Sequence, residues 1–370
     1  MIMLAGSSAV IILGTLGQRL SASSRSLETV ALFALFVFAC LAIDRFLTLH
    51  LKHLGNPANE LREVKQLGSL RIGVPEGLVH LEALRQQHRL EHRLNLLGVD
   101  VKWVEYTSAS ALLQSLNNNE IDFCGGGGTP SVFAQAADLL FMRVARDKYT
   151  NTGGEAILVP NDSEITSLEE LRGRRIAVEE GSTAHYVLAR ALMHAGISPS
   201  ELEIIFLSRI DALPQFTSGF VDAWSVWVPY ADSPRRKEFP GRSIASLQNL
   251  FGNEPSLKLP TLYYSTPELA KNFPRILKLI LEEINEAGAQ VNRDNVNAIE
   301  RLRDQLPVSS EWIENLRNLA EERSIVPLDS RALEGLQQQA DILRELKLIP
   351  KRVRVYDGTY SLMMRQNWTF

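Results

Sequence analysis

From Gly68 onward short apolar runs alternate with amphipathic stretches, and this alternation limits the possible folds more than any other feature of the chain. Strands are predicted at Leu70–Val74, Val99–Val104, Ile121–Cys124, Leu140–Val144, Ala156–Pro160, Arg175–Val178, Glu203–Leu207 and Val221–Ser225. Helical periodicity lies between them, as in Leu78–Leu97 and Ser108–Leu116. Strands separated by helices specify an α/β fold with largely parallel sheets and ligands at the C-terminal ends of the strands. After Pro260 the pattern changes to charged amphipathic helices, predicted at Pro267–Val291, Asn295–Gln305, Ser310–Glu322 and Asp329–Leu346. A chain of 370 residues is long enough for two compact lobes with cores of their own.

Three strand ends carry residues suited to a ligand. The first is Gly181-Ser182-Thr183-Ala184-His185-Tyr186, which follows the strand at 175–178 and opens a helix. A glycine turn followed by hydroxyl residues leaves backbone N–H groups pointing outward, and the helix dipole adds partial positive charge there. An ordinary N-cap has the same local sequence. The second is Gly125-Gly126-Gly127-Gly128 followed by Thr129-Pro130-Ser131, with Thr129 as the expected N-cap and Pro130 in the first turn. Flexible linkers are also rich in glycine, but this run joins a strand directly to a helix. The third, Val221 to Tyr230, brings Trp224, Trp227 and Tyr230 to one strand end, where they offer either an aromatic ligand wall or a core pair.

Composition narrows the partners. The 39 basic and 43 acidic residues leave a formal charge of −4 without a dense basic stripe, which argues against nucleic acid. Cys40 and Cys124 sit in unlike settings and do not read as a disulfide, and no metal-ligand spacing occurs. His88 and His92 lie four apart on a predicted helix but lack a third ligand, so no metal and no cofactor is expected. The first fifty residues differ from the rest: after Arg19 and Arg25, Val30 to Ile43 is continuously apolar. No clean signal-peptide cleavage site follows, and a retained membrane anchor is the reading adopted.

Taken together, the Gly-rich loop with Thr-Pro, the segment Glu155 to Pro160, Gly-Ser-Thr-Ala-His-Tyr and Val-Asp-Ala-Trp-Ser-Val-Trp resemble the aliphatic-sulfonate-binding proteins of ABC importers, with taurine- and nitrate-binding proteins as near relatives. The resemblance runs from about Gly68 to Asp357. It implies a two-lobe, periplasmic-binding-protein-like (type II) α/β fold: lobe one from residues 68–157 and 257–370 and lobe two from 158–256; ahead of them, residues 54–67 read as a linker and 1–53 as the anchor. It implies a non-enzymatic receptor that clamps a small organic anion (an alkanesulfonate, taurine or nitrate) and works with permease and ATPase subunits at the periplasmic face of the inner membrane. By the same resemblance the anion lies against Gly126, Gly127, Gly128, Thr129, Ser182 and Thr183, near His185, and its tail meets Trp224, Trp227 or Tyr264. Glu76, in the exit loop of the first strand, is a further candidate contact, although a carboxylate there would repel an anion.

The chain departs from the family pattern at Gly128, where Asp is usual, and at Val228, where Trp-Asp-Pro is usual. Loss of those carboxylates weakens the case for an amino group on the ligand. Residues 12–54 resemble the last transmembrane helix of a partner permease. Two other readings of the fold are an enzyme related to thiamine-pyrimidine-precursor synthesis and a membrane-tethered solute sensor. His185 and Cys124 lack the partners that catalysis would need, and no output segment is visible.

Overall fold

The structure, a computed structural model, describes residues 67–75, 78–151, 155–227, 240–246, 249–250, 259–293 and 325–359, all within the unit Glu63–Phe370. The anchor expected over 1–53, residues 54–66 of the linker, Glu76, Val228, Tyr230 and the helices expected at Asn295–Gln305 and Ser310–Glu322 lie outside the described residues. Among the described residues no helix is long and apolar enough to cross a membrane.

Two sheets form. The first contains β1 (Ser69–Pro75), β2 (Asp100–Tyr106), β3 (Phe123–Gly127), β4 (Met142–Asn151), β10 (Leu259–Ser265) and β11 (Ile325–Val326), in the order β11-β4-β10-β3-β1-β2. The second contains β5 (Glu155–Pro160), β6 (Arg175–Val178), β7 (Glu203–Phe206), β8 (Ala223–Trp227) and β9 (Gly241–Ser246), in the order β7-β6-β8-β5-β9. Both sheets are mixed rather than largely parallel. β2, β1 and β3 are parallel, as are β7, β6 and β8, whereas β10 and β5 run antiparallel to their neighbours. The cause is the crossing of the chain between sheets. Both β5 and β10 enter at the edge where the parallel strands end, so each must run back against them: Glu155 pairs with Trp227, and Thr261 with Gly127.

The strands are strands because their apolar residues are covered on both faces by helices. On one face of the first sheet, α8 (Pro274–Arg293) places Ile276, Leu277, Ile280, Leu281 and Ile284 at helical spacing against Leu70, Ile72 and Val74. α1 (Val79–Gln87) and α2 (Arg89–Asn95) complete that layer with Leu81, Leu84, Leu90 and Leu94. The opposite face is closed by α3 (Ala109–Asn117), α4 (Gly128–Ala136) and α9 (Ser330–Glu345). The second sheet lies between α5 (Thr183–His194), packed on Ile157, Val159 and Val178, and α6 (Arg209–Thr217), packed on Leu158, Trp224 and Val226.

Two predicted helices are broken. The helix expected over 78–97 is interrupted at His88, which adopts a left-handed φ of 51°. A non-glycine residue gives little warning of that conformation. The helix expected over 267–291 divides into α7 (Pro267–Asn272) and α8, with Pro274 as the first residue of the second. Proline lacks an N–H and disfavours helical backbone in the residue before it, so this break is encoded locally.

Candidate functional site

The C-terminal edges of the two sets of parallel strands meet. At the first edge β3 continues through Gly125 to Gly127, so these glycines are strand residues rather than a loop, paired with Tyr263, Leu262 and Thr261. α4 begins at Gly128 with Gly127 as its N-cap, and no side chain caps it. Its first N–H groups therefore remain without a side-chain acceptor, at the positive end of the helix dipole. The expected cap, Thr129, instead lies inside the first turn, 1 % exposed, and its hydroxyl donates to Gln339 of α9 at 2.8 Å. Thr129 thus fixes α4 from behind, with its hydroxyl engaged away from the first-turn N–H groups. Arg143 holds the same turn: its guanidinium donates to the Ser131 hydroxyl and carbonyl, to Gln135 Oε1 and to the Val355 carbonyl. Burial lowers the Arg143 pKa to about 10, so the group still carries its charge at neutral pH.

The second edge presents the start of α5. Ser182 is its N-cap: the hydroxyl accepts from the His185 N–H at 3.1 Å and donates to the Glu179 carbonyl at 2.7 Å. Both hydroxyl functions serve the turn, so Ser182 follows the capping reading. His185 is buried between Phe133 and Phe206, with ring centroids 5.6 and 5.3 Å away, and its Nδ1 accepts from the Gly181 N–H. Burial lowers its pKa to about 4, so it is a neutral packing group. Thr183 does face the opposite lobe: a Cβ on Gly127 would stand 2.9 Å from Thr183 Oγ1. Gly126 lies on the strand before it with open surroundings, its nearest neighbours 3.9 Å from a would-be Cβ.

The aromatic candidates separate. Trp224 is 1 % exposed and packs on Phe216, and Tyr264 is equally buried, its hydroxyl donating to the Gly127 carbonyl at 2.7 Å. Both are core residues, placed there by strand alternation. Trp227, the last residue of β8, is half-buried at the edge with the Arg209 guanidinium 5.6 Å from its ring centroid.

Three edge residues were not anticipated from the sequence. Arg209, the first residue of α6, is a buried cation. Glu179 follows β6, and its Oε1 accepts from the Ala109 N–H at the start of α3, a 3.3 Å bond joining the two halves. Burial pushes the Glu179 carboxyl up, against the opposing pull of Ala109, Ser108 and Arg209. Glu155, first residue of β5, is also buried. Position at a strand end was the available signal for Glu179 and Glu155, and position at the helix start after β7 for Arg209. Cys124 is a free, fully buried thiol that burial pushes up, which leaves it unsuited to nucleophilic chemistry. Among the described residues no His, Cys, Asp or Glu cluster of metal-binding size occurs. A hollow of about 300 Å³ lies between the far end of α5 and Leu346–Leu348, but its lining includes no charged residue.

Comparison with known proteins places the chain among its relatives. Residues 96–239 match the NMT1/THI5-like family. A protein of Escherichia coli (strain K12), named provisionally as an aliphatic-sulfonates-binding protein, is 28 % identical over 293 residues, covering 78 % of this chain and 87 % of its own. The alkanesulfonate-binding protein SsuA of Xanthomonas axonopodis pv. citri, solved bound to MOPS, superposes with a TM-score of 0.70 at 28 % identity, over 79 % of this chain and 98 % of that one. Over most of its length the chain is therefore similar to aliphatic-sulfonate-binding proteins. SsuA of Escherichia coli superposes with a TM-score of 0.66 at 26 % identity, over 80 % of this chain and 92 % of its own. The fold is therefore the periplasmic-binding-protein-like α/β fold. The desulfurization enzyme DszB shares that fold at 16 % identity and a TM-score of 0.55.

Proposed function

We propose that this chain is the solute-binding receptor of an ABC importer and captures a small organic anion, an aliphatic sulfonate, between two lobes on the periplasmic side of the membrane. The observation that carries this reading is the uncapped first turn of α4 facing Thr183 across the meeting edges, with buried Arg209 on the second edge. A sulfonate needs several donors and gains most where water is excluded, and helix starts supply such donors at about 0.3–2 kcal/mol each. The backbone from Gly126 to Gly128, Thr183 and Arg209 form the anionic end of the proposed site, and Trp227 meets the alkyl tail. Lobe one is assigned to the part of the chain that builds the first sheet and lobe two to the part that builds the second. The boundary falls before Glu155 rather than at 157/158, because β5 belongs to the second sheet. The lobes close over ligand by a hinge at the crossing strands. Tethering through residues 1–53 and transfer to permease and ATPase subunits complete the proposal. The resemblance to binding proteins favours capture without turnover.

The test is calorimetric titration of the full chain with alkanesulfonates of increasing length, with nitrate and sulfate alongside. Saturable one-to-one binding that strengthens with the alkyl chain is the expected result. Absence of binding to every alkanesulfonate would overturn the assignment.

A further inference from the structure

We propose that Glu155 is a specificity residue of the cleft and that it selects an anion carrying a hydrogen-bond donor, an ammonium or hydroxyl group, at the end remote from its charge. The proposal rests on the receptor reading above and adds the second pole of the ligand.

Strand register places this residue. Glu155 opens β5 and pairs with Trp227, the last residue of β8, so the two share a face of the second sheet. Two residues before Trp227, the Ser225 hydroxyl donates to the Ala184 carbonyl at 2.9 Å, which seats the first turn of α5 over Ser225. Trp227 and Glu155 lie about 7 Å further along the strand direction, beyond the start of the helix, on the side where the two edges meet. Across two strand spacings, about 10 Å, the end of β6 leads to Glu179, whose carboxylate already contacts α3 of the opposite half.

The carboxyl of Glu155 is in an unusual state. The residue is 5 % exposed, and Oε2 has no hydrogen-bond partner among the described residues. Burial raises its pKa to about 8. A buried acceptor left unpaired costs about 1–3 kcal/mol, and folded proteins contain few of them. Packing does not require this one: Ile157 and Val159, next on the same face, are apolar core residues. A ligand donor would restore the missing bond. Donors for the anion and an acceptor for its far end would then stand at opposite ends of Trp227.

The experiment compares three ligands of equal length on the full chain by calorimetry: propane-1-sulfonate, 3-hydroxypropane-1-sulfonate and 3-aminopropane-1-sulfonate. The hydroxyl and ammonium ligands are expected to bind about tenfold or more tightly than the unsubstituted one. With the titrations run at pH 9, above the Glu155 pKa of about 8, the unaltered carboxyl is charged; Glu155→Gln retains an acceptor but no charge, so the ammonium preference falls about tenfold while the hydroxyl preference persists. Glu155→Leu removes both preferences and leaves propane-1-sulfonate binding in place. Equal or tighter binding of propane-1-sulfonate by the unaltered chain overturns the inference and leaves the receptor reading standing. Preferences that survive both substitutions overturn the role of Glu155. Failure of all three ligands to bind overturns the receptor reading itself. If either variant does not fold, the comparison on the unaltered chain still decides the ligand class.

Discussion

The two sheets share a frame and differ at the edge. In the first, Arg71 of β1 grips Asp122 just before β3: backbone N–H to Oδ2 at 2.7 Å, Nε to Oδ2 at 3.0 Å and Nη2 to Oδ1 at 2.7 Å. In the second, Arg175 of β6 grips Asp222 just before β8 through the same atoms, at 2.8, 3.1 and 3.1 Å. In both, the aspartate N–H returns a bond to the arginine carbonyl at 2.8 Å. Each clasp fixes the register of a central pair of parallel strands from the end opposite the cleft. Past that common frame, β3 runs out through three glycines, whereas β8 runs out through Trp224-Ser225-Val226-Trp227. A glycine edge gives bare backbone and close approach, which suits an anion; a tryptophan edge gives area, which suits an alkyl chain. The frame is duplicated, and the chemistry lies in what each strand does after its aspartate.

The largest expected effect tests the division within the tryptophan edge. Trp224→Ala is expected to destabilise the fold by about 3–5 kcal/mol, because a buried aromatic leaves a cavity against Phe216. Trp227→Ala should cost much less stability but weaken binding of long-chain alkanesulfonates. Urea denaturation and calorimetry on the two variants separate these effects; equal stability losses would place Trp227 in the core as well. Next in size is the acid sensitivity of the contact between Phe133 and α5. The folded pKa of His185 is about 4 against an ordinary 6.5, so between those values the unfolded chain binds the extra proton. Its contribution is present in full above pH 6.5 and disappears as pH falls to 4, a change of about 3 kcal/mol. Glu155 acts in the opposite direction: with its pKa raised to about 8, the folded state holds the proton longer, and stability falls as pH rises from 4.5 to 8. His185→Phe should flatten the acid limb, and Glu155→Gln the neutral one, in unfolding curves measured across pH.

The framework was largely legible in sequence because its signals are local. Apolar runs such as Arg175–Val178 became strands at the expected positions, and Ser182 was recognisable as a cap. Reversal of β5 and β10 was not legible, because strand direction depends on where the chain crosses between sheets. The burial of Thr129 and Tyr264 is not legible for a related reason: their hydroxyls are claimed by Gln339, 210 residues away, and by the Gly127 carbonyl, 137 residues away. Trp224 and Trp227 differ by odd spacing, so strand alternation alone could have sent them to opposite faces. The Arg–Asp duplication is not legible in sequence because it rests on two residues per sheet separated by about fifty positions, in otherwise dissimilar sequence.

The shared clasp allows a quantitative comparison of the halves. For Asp222 burial opposes ionisation, yet the Arg175 guanidinium and N–H hold its carboxyl below the ordinary range. Asp122→Ala and Asp222→Ala each strand a strand N–H and an arginine, and about 2 kcal/mol is expected from either, the Asp122 variant losing more because that carboxylate is less exposed (13 % against 26 %). Denaturant midpoints would check both the size and the order.

The smallest effects belong to the glycine edge, where neighbouring positions should behave differently. A Cβ at Gly125 would lie 2.5 Å from Leu78 Cδ2 and 3.2 Å from the Tyr263 ring, so Gly125→Ala overpacks the core and costs about 1–2 kcal/mol. At Gly126 nothing stands nearer than 3.9 Å, and Gly126→Ala should leave stability within about 0.5 kcal/mol of the unaltered chain. Gly127→Ala falls between them in stability, because Thr183 Oγ1 at 2.9 Å ends a short side chain that can rotate away. That rotation displaces the group facing α4 across the cleft, so Gly127→Ala is the one variant of the three expected to lose sulfonate affinity while the fold is nearly untouched. Stability and calorimetric affinity measured on all three decide the matter. Affinity lost at Gly126 rather than Gly127 would move the anion one residue back along β3, away from the start of α4.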